Sequence, residues 1–168
     1  IEGETDALSI FLSQAGSNVY GESGYGLRDR MAQEMFGGSI RDLSGEQQAQ
    51  VTAELLKRGE KVSNQDRLFA YWESYDDGFN AFKEKDAPDL PYKTLKEFRN
   101  AVEQKFRAAA EKEGNPMTKK EAEDEREKLE KNIGLKAMLD RAQERVVAID
   151  PGIYDALMQN ADGTYTLT

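Results

Sequence analysis

The chain has 168 residues and a net charge of −9 at pH 7, with 23 lysines and arginines against 32 aspartates and glutamates. It contains no histidine and no cysteine, which excludes imidazole acid–base catalysis, thiol nucleophiles, disulfides and the usual zinc ligands. The length fits one domain, or one domain with an appendage, and fifteen aromatic residues are enough to build a compact core.

The negative charge is concentrated in the first half of the chain. Residues 1–91 carry 9 lysines and arginines against 17 carboxylates, a net −8, whereas residues 92–168 carry 14 against 15, a net −1. Because an acidic surface repels phosphate, we expect no direct binding of nucleic acid. The same surface favours a basic partner.

The sequence shows no signal peptide and no apolar run of about 18 residues. We therefore expect no membrane span and a cytoplasmic location, although a chain without cysteine gives no evidence about its redox compartment. The first residue is Ile1 rather than methionine, which we interpret as indicating a piece of a longer protein or a processed form.

Two short helices separated by a loop are predicted in the N-terminal quarter. Thr5 fits the N-cap of the first helix, and residues 16–26, with four glycines, predict the loop. The second helix is expected to stop at Gly37. The apolar positions with helical spacing are Leu8, Phe11, Leu12 and Ala15 in the first helix, and Leu27, Met31 and Met35 in the second.

An aromatic helix over residues 64–85 is the strongest periodic signal in the chain. It follows a shorter helix that begins at the capping box of Ser44 and Gln47 and ends at Gly59. Apolar residues spaced 4, 3, 4 and 3 are typical of a buried face, so we expect them to form core rather than a stacking platform for sugars or bases. They are Leu68, Trp72, Tyr75, Phe79 and Phe82.

A second amphipathic helix, over residues 94–113, follows a short connection that contains two prolines. Thr94 opens it and Gly114 ends it. The short linker predicts that the helices 64–85 and 94–113 form a central antiparallel hairpin, which we expect to be the centre of stability. The apolar stripe of the second helix is Leu95, Phe98, Val102, Phe106 and Ala109.

The segment after residue 114 is more polar. Thr118 with Glu121 fits a capping box, and residues 119–132 contain eleven charged residues in fourteen. Only Ala122 and Leu129 are expected to touch a core, so a solvated spacer helix is predicted. An apolar stripe from 135 to 149, a short helix after Asp150-Pro151 and an alternating strand at 164–168 complete the chain.

The sequence therefore predicts a mainly α fold. We expect an irregular multi-helix bundle around the central hairpin, with at most a short C-terminal strand. The expected division is a helical core at 1–114 and a charged helical arm at 115–168, which ends in a helix and a short strand and either packs on the core or stands apart.

The glycine-rich loop is the first candidate site. It lacks the lysine and the preceding strand of a phosphate-binding loop, so a partner-binding loop with Tyr20, Glu22 and Tyr25 is favoured. Glu22-Ser23-Gly24 after a helix resembles the catalytic glutamate segment of helical muramidases and chitinases. The further motifs of those families are missing from the sequence, and Glu22 is the one catalytic candidate.

Two acidic segments are candidates for cation binding. Glu73 and Asp77 lie one helical turn apart, with Asp76 beside them, and together offer oxygen ligands. A solvated acidic face is favoured, which makes Glu73 and Asp77 candidates for partner binding. Residues 160–165 resemble the middle of an EF-hand loop, but an ordinary turn is favoured. We expect neither a metal nor a cofactor.

Three functions remain open from the sequence. The leading hypothesis is a non-catalytic helical module, structural or protein-binding, that contacts another protein or another domain of the parent chain. The first alternative is a glycosidase-like hydrolase that uses carboxylates alone, with Glu22 as the acid and Asp29, Glu34 or Asp42 as the second group. The second alternative is an acidic mimic of DNA that inhibits a nucleic-acid enzyme.

Overall fold

The computed structural model describes residues 25–161, and all regular secondary structure in that range is helical. The mainly α prediction is therefore confirmed for this range. The helix expected around Leu8 and the strand expected at 164–168 lie outside the described residues. The α-helices are α1 Tyr25–Phe36, α2 Gly45–Lys57, α3 Asn64–Asp86, α4 Leu95–Lys112, α5 Lys119–Asn132, α6 Leu135–Ile149 and α7 Gly152–Ala161, with a 3₁₀ turn at Ile40–Asp42.

Capping residues define the helix starts as predicted. The Ser44 hydroxyl accepts a hydrogen bond from the backbone N–H of Gln47, whose side chain in turn accepts one from the Ser44 backbone. A second reciprocal capping box joins Thr118 and Glu121 at the start of α5. Each box satisfies backbone donors that a helix N-terminus otherwise leaves without a partner. Directly after the last residue of α1, Gly37 adopts a φ of 73°, a backbone conformation that favours glycine.

The described residues divide into two compact units, the first from residues 25–73 and 145–161 and the second from residues 74–144. In the first unit, α1, α2 and the 3₁₀ turn enclose one apolar cluster, and α3, α6 and α7 contribute to another. The first cluster consists of Met31, Ala32, Ile40, Leu43, Val51 and Leu55. The second consists of Ala49, Leu68, Ala70, Val146, Ile153 and Ala156.

The second unit contains the connected ends of α3 and α4, where the predicted hairpin turns. Contacts between the two helices confirm the prediction there. The ring centroids of Phe79 in α3 and Phe98 in α4 lie 5.4 Å apart. Near the connection, the Lys83 ammonium donates to the backbone carbonyl of Tyr92 at 2.8 Å. The buried cluster of this unit is Phe79, Phe82, Leu95, Phe98, Leu135 and Leu139. Further along α4 the predicted stripe leaves this core, because Ala109 is exposed.

The charged helix α5 is not the solvated spacer that its composition predicts. Ala122, Arg126 and Glu130, each four residues apart, are all buried, and the helix packs along α4. The prediction was wrong because two of the buried positions hold charged side chains that pair with charges on α4. The division expected at residue 114 stays a prediction, but α5 belongs to the same compact unit as α4.

The prediction that Trp72 is buried was also wrong, because its side chain is 41% exposed. The small residues Ala70, Ser74 and Gly78, spaced four apart, are buried on α3. At about 100° per residue, they rotate the buried face of α3 by roughly 60° from the centre of the aromatic stripe. Trp72 therefore lies at the edge of that face, while Phe79 stays fully buried.

Gly78 marks the tightest helix approach on α3. A Cβ atom built at this position would lie 2.9 Å from the Cα atom of Leu139 and 3.0 Å from the carbonyl oxygen of Met138. The helix α6 thus passes directly against the backbone of α3 in the second unit.

Among residues 25–161, no helix combines the length and the apolar character needed to cross a bilayer.

Candidate functional site

The sequence candidates are not brought together into one site. Tyr20 and Glu22 lie outside the described residues. Tyr25 is the first residue of α1, so the helix begins inside the segment that was predicted as a loop over residues 16–26. The hypothesis of a partner-binding loop stays a prediction.

The acidic residues of α3 singled out in the sequence, Glu73, Asp76 and Asp77, all make contacts within the protein, and the partner-binding role of Glu73 and Asp77 stays a prediction. Glu73 and Asp77 are both half-buried, and both interact with other groups. The Asp76 carboxylate accepts a hydrogen bond from the backbone N–H of Leu95 at 3.0 Å, so it satisfies a donor at the start of α4. Within the described part of the chain, no three potential metal ligands come together.

Two of the three carboxylates proposed as partners of Glu22 in hydrolysis, Asp29 and Glu34, have contacts within the protein. Asp29 accepts hydrogen bonds from the Ser39 hydroxyl at 2.7 Å and from the Ile40 backbone N–H at 2.8 Å, which fixes the 3₁₀ turn. Glu34 lies 3.6 Å from Arg58 in an exposed ion pair. A catalytic role for these carboxylates stays a prediction.

An exposed aromatic pair on α3 is the clearest surface feature of the first unit. Phe69 and Trp72 are 44% and 41% exposed, although both are large apolar side chains. Their ring centroids lie 5.9 Å apart at an interplanar angle of 72°, an edge-to-face arrangement. Such pairs gain about 0.5–1.5 kcal/mol beyond burial, so the two rings hold each other in place at the surface.

The position of this pair follows from the rotation of α3. Leu68 and Ala70, on either side of Phe69 in sequence, fill the apolar cluster that α3 shares with α7. Successive helical residues lie about 100° apart, so Phe69 is directed away from that cluster. Phe69 is the functional candidate that the sequence analysis missed, because it lies off the aromatic stripe.

A charged groove of about 740 Å³ lies wholly within the second unit. Its apolar wall is formed by Tyr75 of α3 and Leu139 of α6, and the rest is formed by Gln143 and by charged side chains of α4, α5 and α6. The charged lining residues are Arg99, Asp124, Arg126, Glu127, Lys128, Glu130, Lys131, Lys136 and Asp140.

Two arginines of the groove are held by the carboxylates Glu130, which is buried, and Glu103, which is partly buried. Arg99 donates to both carboxylate oxygens of Glu130, from Nε at 2.9 Å and from Nη2 at 3.0 Å. Arg126 donates from Nη1 to Glu130 at 3.1 Å and from Nε to Glu103 at 2.9 Å. Burial alone would lower the pKa of Arg126, but Glu103 and Glu130 together raise it, so the guanidinium stays charged. The spacing of Ala122, Arg126 and Glu130 was the available sequence signal for this network.

A second buried ion pair, in the first unit, joins α3 to the start of α7. Arg67 Nε lies 3.5 Å from Asp150 Oδ2, and the Asp150 side chain is only 2% exposed. Neither of these two atoms has a hydrogen-bond partner. Burial raises the pKa of Asp150, and the charge of Arg67 and the Gly152 backbone N–H oppose the rise only in part.

The described residues thus offer an aromatic surface, a charged groove and a buried ion pair. The groove and the ion pair consist of charged groups paired with opposite charges, whereas the aromatic pair presents apolar area to water. Comparison with known proteins adds no assignment, since no family model, curated protein or solved structure matches the chain.

Proposed function

We propose that the chain is a helical protein-interaction module that binds a basic, amphipathic segment of another protein through Phe69 and Trp72. The observation that carries this proposal is the exposed edge-to-face pair. Tryptophan and other aromatic side chains dominate the energetics of protein interfaces, because they bury a large area at a small cost in conformational entropy.

The charge of the chain supports a basic partner. The pair lies within residues 1–91, which carry a net −8, and Glu73 directly follows Trp72. Opposite charge around an apolar anchor accelerates association and disfavours acidic competitors. The two rings alone form a small apolar area, so the complex is expected to be transient rather than obligate.

A photo-crosslinking experiment tests the proposal. Benzoylphenylalanine replaces Phe69 in one variant and Tyr154 in the matched control, since Tyr154 is an exposed aromatic residue of the same unit, on α7. After exposure to a native lysate, we expect a protein that is crosslinked at position 69 and not at position 154. Equal crosslinking at the two positions, or none at position 69, would contradict the proposal.

The captured protein is then titrated against the purified chain. Trp72→Ala is expected to weaken binding by about 30-fold, which corresponds to roughly 2 kcal/mol, while Tyr154→Ala leaves it unchanged. Binding is also expected to weaken as the NaCl concentration is raised, because a basic partner is attracted through charge. An affinity that is insensitive to Trp72→Ala would rule out the aromatic pair as the binding surface.

A further inference from the structure

The groove of the second unit has properties of a ligand site that are independent of the aromatic pair. Its volume of about 740 Å³ lies within the range of roughly 300–1,000 Å³ that small-molecule sites occupy. Tyr75 and Leu139 supply an apolar wall, and charged side chains surround it. The polar groups of the groove that are not already paired determine whether an anionic or a cationic ligand fits.

Most carboxylates of the groove already bind cations of the protein. Glu130 accepts three hydrogen bonds from Arg99 and Arg126. Asp124 is paired with Lys120 at 2.9 Å, and Asp140 with Lys136 at 3.2 Å. Glu130 therefore has little capacity left for a cationic ligand, and the charges of Asp124 and Asp140 are each already balanced by a lysine of the same helix.

The arginines of the groove, by contrast, keep unused donors. A guanidinium has five N–H donors, and Arg99 and Arg126 each use two of them in the bonds to Glu130 and Glu103. None of their nitrogens is both buried and unsatisfied, so the nitrogen of each guanidinium that bonds to no carboxylate is accessible to solvent, and both residues line the groove. Because the two carboxylates hold both guanidiniums in place, their orientation is fixed before a ligand arrives.

Lys131 adds a third cation at the end of α5. The lining as a whole holds five cations and four carboxylates, a net +1, in a chain whose total charge is −9. The net charge of the groove lining is thus opposite in sign to the net charge of the whole chain. Planar guanidiniums with open N–H groups match the oxygens of phosphate and carboxylate groups.

We propose that this groove binds a small polyanion, a molecule with two or more phosphate or carboxylate groups, through Arg99, Arg126 and Lys131. More than one anionic group is needed because a single phosphate would occupy only a small part of the groove. The apolar wall of Tyr75 and Leu139 accommodates the carbon skeleton of such a molecule.

Calorimetric titration of the full chain with inorganic pyrophosphate and with citrate, at constant ionic strength, tests this proposal. We expect saturable binding of at least one of them, and the two probes distinguish phosphate from carboxylate recognition. Amide and arginine Nε–H resonances, followed by NMR, should shift at Arg99 and Arg126. The absence of saturable binding up to about 10 mM, or shifts confined to residues outside the groove, would overturn the proposal.

Two lysine variants of α5 make the test specific. Lys131→Ala is expected to weaken binding about tenfold, because it removes one charge-assisted contact, and Lys119→Ala, on the same helix but outside the groove, should bind like the wild type. Both lysines are exposed, so neither substitution is expected to unfold the chain. A thermal melt of each variant checks this. Equal affinity of the two variants would overturn the assignment of the groove.

Discussion

At the scale of single residues, Gly78 shows how one absent side chain positions two helices. Glycine normally costs a helix about 1 kcal/mol relative to alanine. At this position the space for a Cβ is occupied by the backbone of α6 at Met138 and Leu139. The close approach of the two backbones therefore depends on glycine at this position.

The variant Gly78→Ala tests this contact. We expect a loss of about 1–2 kcal/mol in the free energy of unfolding, because overpacking against backbone outweighs the gain in helix propensity. Gly38→Ala is the control, since nothing lies within 4 Å of its added Cβ and its backbone is outside the left-handed region that favours glycine. Urea denaturation measures both variants. A Gly78→Ala protein as stable as the control would show that the helices can move apart without cost.

Asp150 predicts a particular dependence of stability on pH. Burial raises the pKa of its carboxyl above the ordinary value of about 3.9. Between the ordinary and the raised value the native state holds a proton that the unfolded state has lost, so the free energy of unfolding falls as pH rises through this window. This contribution is fully present below the window.

The comparison of Asp150→Asn with the wild type isolates that contribution, because asparagine cannot titrate. As pH is lowered from neutral to about 4, the wild type should gain stability relative to Asp150→Asn. Chemical denaturation at several pH values measures the difference. A difference that stays constant or shrinks on acidification would show that the charged carboxylate, paired with Arg67, is the favoured native form.

At the scale of elements, α5 shows that charge composition does not determine solvation. Glu130 is 3% exposed and holds Arg99 and Arg126 together, so α5 packs on α4 through ion pairs instead of an apolar stripe. From the sequence, the charged residues of α5 were predicted to face solvent, because burial of an unpaired charge is costly. Pairing between helices distant in sequence is not visible from the spacing along one helix.

Removal of one carboxylate from this network should loosen α5. Glu130→Gln leaves Arg126 buried with one carboxylate partner fewer, and we expect a loss of about 3 kcal/mol in the free energy of unfolding. Lys120→Ala removes an exposed pair with Asp124 on the same helix and should melt like the wild type. Thermal and urea unfolding of both variants measure the difference in stability. Equal melting of the two variants would mean that the buried pairs do not hold α5.

The helix α3 illustrates what periodicity does and does not reveal. The stripe of large apolar residues correctly predicted that Leu68, Phe79 and Phe82 are buried. It misplaced Trp72, because the buried face of α3 is centred closer to its small residues, where another helix can approach closely. Hydrophobic spacing detects large side chains, but close helix packing is set by small ones.

At the scale of the whole molecule, the described residues form two compact units, each with its own buried apolar residues. The helices, their caps and the closed end of the hairpin were predictable, because they depend on local sequence. The aromatic pair and the charged groove were not, because both result from how the faces of distant helices are oriented. The exposed pair of Phe69 and Trp72 is the feature on which the proposed protein-binding function rests.

The fluorescence of Trp72 tests that feature most directly, because it is the only tryptophan in the chain. With a side chain 41% exposed, the folded protein should emit at long wavelength and be quenched efficiently by acrylamide, and a bound partner should shift the emission to shorter wavelength and protect the ring. Short-wavelength emission, shielded from acrylamide in the chain alone, would place Trp72 in a core and contradict the account.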